Sequence, residues 1–427
     1  MMTGKTTAGN PIAPASEAFD FDVRVDRSGT HALKWEEADG ALPMWVADMD
    51  IPTAPAVREA IARRAANGVF GYSTVPDEWA RAYADWWGAR HGLTIRPEEL
   101  VFTTGVIPAI SSMVRKLTTP AENVVILTPV YNIFFNSILN NGRNALQSPL
   151  RYERSADGAT GRYTIDWADL EAKLADPQTT LMILCNPHNP TGAIWDRDTL
   201  ARFGSLCAKH HVTVISDEIH CDLTDPGHGY VPFASVNEEC RSISATCLAP
   251  TKAFNIAGLH TAAVLVPDPA LRHKVWRGIN TDEVGEPNAF AIDAAVAAFT
   301  QGGPWLDALR GYLAGNKHEA ARMIATYNAS APADRRVALC EGPATYLLWL
   351  DCSAFIDGPS AVPASAPARF RDTDELCDWL TREHGVMFSP GGHFGGNGRN
   401  FLRINVACPR ASVRDGIGRL LEGLSER

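Results

Sequence analysis

The sequence contains no apolar run of roughly 18 or more residues, so no membrane-spanning helix is predicted. It has no surplus of basic charge. Lys and Arg number 39 against 49 Asp and Glu, a net charge of −10. No cationic field is therefore available to displace counterions from nucleic acid. The nine cysteines are scattered singly, without a CxxC pair. That pattern fits reduced thiols in a cytoplasmic protein and predicts neither disulfides nor a metal site. Met1–Ser16 is rich in Thr, Ala, Gly and Pro and lacks the apolar centre of a signal peptide. Export is not expected, and residues 1–18 are expected to form a flexible tail. No internal repeat is present.

What is present is a long chain of ordinary globular composition. Its 427 residues are 45% hydrophobic and 21% charged, too many for one core and enough for two domains. Val124–Leu127, Leu181–Cys185 and Val212–Ile215 are short runs with both faces apolar, as strands of a parallel sheet covered by helices require. Tyr131–Asn140 and Asp198–His210 follow two of them as helical stretches, and the alternation predicts an α/β domain. Cys185 in a strand and Cys207 in a helix read as small buried hydrophobes. Pro304 suits the first turn of a helix carrying Leu306, Leu309 and Leu313. Thr345–Leu350 (strand), Asp374–His384 (helix), Phe401–Val406 (strand) and a helix after Pro409 predict a smaller α+β domain. Gly358–Pro367, rich in Pro, Ala and Ser, is expected to be a mobile surface loop.

Several residues have chemistry available to them. Lys252, in Ala249-Pro250-Thr251-Lys252-Ala253-Phe254-Asn255, can form an imine with an aldehyde if its ammonium is desolvated or crowded by cations, although most lysines are solvated surface groups. Asp217 ends a strand, where ligands bind in open α/β sheets; it is equally a loop carboxylate that caps the next segment. Asn189 stands in Asn186-Pro187-His188-Asn189-Pro190-Thr191-Gly192. The prolines there forbid continued sheet or helix and allow a cis bond. Gly105-Val106-Ile107 joins the strand Val101–Thr103 to a helix whose first amides favour phosphate. Tyr131 is placed either to stack on an aromatic ring or to pack at a helix start. Arg403 lies within an apolar strand and needs a counter-charge, from an internal salt bridge or from a ligand carboxylate.

In chain order, the glycine turn, Tyr131, Asn189-Pro190-Thr191-Gly192, Ser216-Asp217-Glu218, Thr251-Lys252-Ala253-Phe254-Asn255 and Arg403 resemble the fold-type I pyridoxal-phosphate (PLP) enzymes of the aminotransferase class I/II superfamily. The resemblance runs from about Phe19 to the C-terminus. Pro43-Met44-Trp45-Val46-Ala47-Asp48-Met49-Asp50, Gly68-Val69-Phe70-Gly71-Tyr72, Ser216-Asp217-Glu218-Ile219-His220, Gly302-Gly303-Pro304-Trp305-Leu306 and Cys408-Pro409-Arg410 resemble its cystathionine β-lyase (C–S lyase) branch. The resemblance implies an α/β fold with a large, mostly parallel seven-stranded sheet and a smaller α+β domain. It divides the chain into a segment 19–50 joining the small domain, a large PLP-binding domain 51–300 and a small domain 301–427.

It also implies roles. Lys252 would hold the PLP aldehyde carbon and serve as catalytic base. Asp217 would pair with the pyridine nitrogen, and Asn189 with the ring hydroxyl. Tyr131 would stack on the ring and belong to the catalytic set. Gly105, Val106 and Ile107 would hold the phosphate, and His220 and Thr251 would complete the cofactor site. Arg403 and Asp48 would bind substrate, with Arg403 on its α-carboxylate. Tyr72 would reach the phosphate and substrate of a neighbouring subunit, making the unit a homodimer with shared active sites. The partner in turnover would be a small amino acid, and the reaction α,β-elimination to thiol, pyruvate and ammonia. An aminotransferase is the alternative, and a catalytically idle homologue that binds a protein partner is a third reading. One residue departs from the family pattern. The phosphate-binding serine usual three residues before the lysine is Ala249 here; either the Thr251 hydroxyl compensates or the cofactor is held less tightly. Loss of one hydrogen bond to a charged group costs about 1.5–3 kcal/mol, which weakens cofactor retention without abolishing the site.

Overall fold

Alternating apolar residues along seven segments point to opposite faces and create two buried layers. The computed structural model, which describes residues 19–357 and 369–427, pairs these segments into one sheet. They are β1 (Leu100–Thr103), β2 (Asn123–Thr128), β3 (Asn144–Pro149), β4 (Thr179–Cys185), β5 (Thr213–Asp217), β6 (Ser244–Leu248) and β7 (Ala262–Leu265). The order is β1-β7-β6-β5-β4-β2-β3. β7 runs antiparallel to both neighbours, and the other four pairings are parallel. Val124, Ile126, Leu181, Ile183 and Ile215 pack on one face with Ile110, Met113 and Phe134. Val125, Leu127, Met182, Leu184 and Val214 pack on the other with Leu170, Leu200 and Phe203. Helices thus cover both faces, as a largely parallel sheet requires.

This topology positions the site. β1 follows an antiparallel β7, so its direction matches that of β2, β4, β5 and β6. All five strands end at one edge of the sheet, where open α/β folds bind ligands. The loops leaving that edge begin with Thr104-Gly105, Pro129-Val130-Tyr131, Asn186–Asn189, Glu218–His220 and Ala249–Lys252.

A second sheet has six strands: Ser389–Pro390, Phe401–Asn405, Leu347–Asp351, Ala338–Cys340, Thr160–Thr164 and Arg151–Arg154, in that order. The last two form a hairpin between β3 and β4 in sequence. Thr160 pairs in parallel with Leu339, so this hairpin from residues 51–300 joins the C-terminal sheet. Helices Thr373–His384 and Arg410–Ser425 cover it around Leu376, Leu380, Ile417 and Leu420. Helix Gly303–Ser330, about 42 Å long at 1.5 Å per residue, joins two cores. Trp305, Leu306 and Leu309 lie in one, and Ala320 and Ile324 in the other.

Several predicted boundaries shift for local reasons. The strand predicted from Thr345 begins at Leu347, because Thr345 adopts φ 63°, a left-handed turn that cannot continue a strand. The helix predicted over Tyr131–Asn140 spans Ile133–Leu139, since Val130 N–H is drawn to the Phe394 carbonyl (2.8 Å) just before it. The expectations for residues 1–18 and for the loop Gly358–Pro367 lie outside the described residues. The nine cysteines are unpaired and buried. Among the described residues, no helix is long and apolar enough to cross a membrane.

Candidate active site

At the strand-end edge the loops enclose a cavity of about 190 Å³. Its lining includes Gly105, Val106, Ile107, Tyr131, Asn189, Asp217, His220, Thr251 and Lys252, drawn from five separate loops. Residues 112 or more positions apart in sequence, such as Gly105 and Asp217, thus face one small volume.

Lys252 Nζ donates to the Ala47 carbonyl at 2.5 Å. Burial pushes its pKa down to about 8; nearby Arg403 adds to the fall, while Asp48 and Asp217 oppose it. An amine so placed is a neutral nucleophile for a sizeable fraction of the time near neutrality. Asp217 is 4% exposed and accepts from Ile219 N–H at 3.1 Å. Burial raises its pKa to about 6, against the pull of that N–H and of Lys252. It is therefore an ionised carboxylate near neutral pH and lacks a close cationic partner.

Asn189 is held by the turn between β4 and the helix Arg197–Lys209, where the Asn186–Pro187 and Asn189–Pro190 bonds are cis. His188 fixes this turn through Thr191 Oγ1 at 2.9 Å and the Leu127 carbonyl at 3.3 Å. Asn189 Oδ1 accepts from Arg403 Nη1 at 3.3 Å. Its amide nitrogen is left to donate into the cavity. His220 is buried, which holds its imidazole neutral with a pKa of about 3, helped by Lys252 and Arg403; its Nδ1 has no partner.

The helix Val106–Leu117 starts at the cavity with Gly105 as N-cap, and no side chain caps it. The first amides of a helix have no intrahelical acceptor and favour an anion. The Thr251 side chain lines the same cavity, and Ala249 is buried without lining it.

Arg403 stands behind Asn189. Its Nη2 donates to the Trp45 carbonyl (2.9 Å) and to Ser389 Oγ (3.3 Å), and its Cζ lies 4.6 Å from the Phe394 ring centroid. It makes no ion pair among the described residues, and Nε has no partner. Burial lowers its pKa to about 10. A buried cation surrounded by neutral acceptors is costly and awaits an anion. Of the two sequence readings of Arg403, the internal salt bridge is not observed.

Three predicted residues do not line the cavity: Arg403, which stands behind Asn189, and Asp48 and Tyr72. The Asp48 carboxylate pairs with Arg27 (3.0 Å) and Lys34 (3.5 Å) and does not line the cavity, although it is near enough to act on the Lys252 charge. Tyr72 is fully exposed, beside exposed Val69, Phe70 and Val75, and does not reach the cavity of its own chain. Sequence reasoning missed Ala47, whose role is that of a backbone carbonyl and leaves no side-chain signal. It also missed Tyr346, whose hydroxyl donates to the same carbonyl at 3.0 Å. A second buried cluster, His91, Cys221 and Asp222, is satisfied internally: Asp222 accepts from His91 (2.8 Å) and Trp86 (3.0 Å).

Comparison with known proteins places this cavity in context. The family model for aminotransferase class I and II matches residues 45–420. The cystathionine β-lyase PatB of Bacillus subtilis is 41% identical over 413 residues, covering 95% of this chain and 100% of its own. The PLP-bound C–S lyase of Staphylococcus hominis superposes with a TM-score of 0.84 at 30% identity, covering 96% of this chain and 100% of its own. Cystalysin of Treponema denticola, which contains a pyridoxal 5'-phosphate cofactor, gives a TM-score of 0.85 at 27% identity, with coverage of 96% and 100%. A match that spans both sheets and the cavity between them leaves one assignment: the chain belongs to the aminotransferase class I and II family.

Proposed function

We propose that the protein is a PLP-dependent carbon–sulfur lyase that performs α,β-elimination on cystathionine or a related cysteine S-conjugate. The observation that carries this reading is the set of unmatched groups around one cavity. They are an amine of lowered pKa, a carboxylate without a close cation, a free helix N-terminus and, behind Asn189, a guanidinium without an anionic partner. Each matches one part of PLP and its amino-acid substrate. The helix amides and Thr251 suit the phosphate, Asp217 the pyridine nitrogen, and the Asn189 amide with His220 the ring hydroxyl. The restriction to sulfur substrates rests on the 41% identical cystathionine β-lyase.

When bound, PLP supplies an aldehyde for amines and a ring that withdraws electrons from the substrate Cα. The protein's residues do the rest. Asp217, ionised above about pH 6, would hold the pyridine nitrogen in its protonated form. Tyr131, on the cavity wall, would hold the cofactor through its ring. Arg403 neutralises the substrate α-carboxylate and orients Cα towards Lys252. Lys252, as a neutral amine, removes the Cα proton, and the Cβ–S bond breaks as the thiolate leaves. The remaining enamine takes up water and yields pyruvate and ammonia. Tyr72, with Val69 and Phe70, is suited to enter the site of a second copy, so the working unit we propose is a homodimer in the cytoplasm.

Incubation of the PLP-loaded protein with cystathionine tests the reading. Equimolar pyruvate, ammonia and thiol are expected. Accumulation of pyridoxamine phosphate together with dependence on an added keto acid would mark an aminotransferase instead. A colourless protein that takes up no PLP would leave a binding role without catalysis.

A further inference from the structure

Tyr346 follows the left-handed Thr345 and is fully buried. Its hydroxyl meets the Ala47 carbonyl at 3.0 Å, and Lys252 Nζ meets the same oxygen at 2.5 Å. A carbonyl oxygen has two lone pairs, and here both are used. The carbonyl itself is held firmly. Asn405 Nδ2 donates to the flanking carbonyls of Val46 (2.6 Å) and Asp48 (2.7 Å), and Arg403 holds that of Trp45 (2.9 Å). The second sheet thus clamps the entry segment on both sides of Ala47 and adds a hydroxyl to its oxygen.

We propose that the Ala47 carbonyl is the docking point of the Lys252 amine whenever that amine is not bonded to cofactor, and that Tyr346 is the positioning residue that holds and tunes this oxygen. The proposal rests on the reading of Lys252 as the cofactor lysine. When Lys252 moves to the cofactor, the buried carbonyl keeps its Tyr346 donor and is never left bare, which would be costly. When a substrate amine displaces Lys252, the freed amine has a fixed acceptor to return to. Because the hydroxyl shares the oxygen, the carbonyl holds an ammonium less strongly, and the neutral amine is favoured. The other groups facing the amine are Arg403 from the second sheet, Asp217 and His220 after β5, Asp48 on the entry segment and Tyr131 on the cavity wall.

The test is the rate of PLP capture by the cofactor-free full-length protein as a function of pH, followed by visible absorbance. Only the neutral amine reacts, so the rate rises with pH through the Lys252 midpoint. In Y346F the ammonium gains sole use of the carbonyl. The midpoint is expected to move up by about half a pH unit, which slows capture about threefold below it and leaves the alkaline plateau unchanged. Replacing Tyr346 by 3,5-difluorotyrosine strengthens the donor and should move the midpoint down. That variant decides the matter alone if Y346F does not fold. An unmoved midpoint in either variant, with or without a lower plateau, overturns the proposal and leaves Tyr346 a packing role. If wild type captures no PLP, or K252A captures it with the same visible band, the reading of Lys252 fails instead.

Discussion

Two groups of buried charge border the entry segment around Ala47, and they are built on opposite principles. In the first, Asp50 accepts from Lys34 (2.7 Å), Arg27 (2.9 Å) and Trp35 (2.8 Å), and Asp48 pairs with Arg27 and Lys34. Burial alone would raise the Asp50 pKa, but Lys34, Trp35 and Arg27 together hold it below the usual carboxylate range. In the second, burial shifts Lys252, Asp217 and Arg403 each towards its neutral form, and no close partner restores any of them. The first group closes upon itself and fixes the segment. The second is unfinished, and its missing partners describe a ligand: an aldehyde carbon, a pyridine nitrogen and a carboxylate.

The contrast can be broken most severely at Lys252. K252A should lower elimination by at least about 10⁴-fold, measured as pyruvate release, while the melting temperature of the cofactor-free protein holds or rises because a desolvated amine is gone. Next comes a matched pair of substitutions. K34M leaves Asp50 without its closest cation and should destabilise the fold by about 3–5 kcal/mol, whereas R403M removes a cation that has no counter-charge and should change stability by less than about 1 kcal/mol in urea unfolding. R403M should nevertheless raise KM about 100-fold, since it takes away the substrate carboxylate's partner.

Asp217 gives a pH signature. Its folded pKa, about 6, lies above the ordinary aspartate value of 3.8. Its contribution to stability is therefore fully present below about pH 4 and is lost as pH rises through 6. Cofactor-free D217N should be more stable than wild type by about 2–3 kcal/mol at pH 7.5, with the difference gone near pH 4. The smallest expected effect is at Ala249. A249S introduces the serine that the family resemblance assigns to the phosphate and should slow PLP loss on dialysis by up to about tenfold.

Much of this was legible in the chain. The buried strands announced themselves because both faces of a covered parallel sheet must be apolar. Asp217, Asn189 and the Gly105 turn were legible because each stands at or just after the end of a strand read from the sequence, whereas Lys252 was singled out only by the motif around it. What could not be read has physical causes too. The hairpin Arg151–Thr164 carries polar residues on alternate positions and gives no sign of which sheet it joins; its partner, Leu339, is 179 positions beyond Thr160. Asp48 entered as a substrate contact only through the family resemblance, and nothing in the sequence showed that Arg27 and Lys34 pair with it. Tyr346 sits inside an apolar strand pattern, where a tyrosine reads as core. Only the fold shows its hydroxyl meeting Ala47.

The most direct measurement is borohydride reduction of the PLP-loaded protein followed by peptide mapping. The account predicts a stable pyridoxyl label on the peptide bearing Lys252 and on no other. A label on a different lysine, or no label on a protein that cleaves cystathionine, would contradict it.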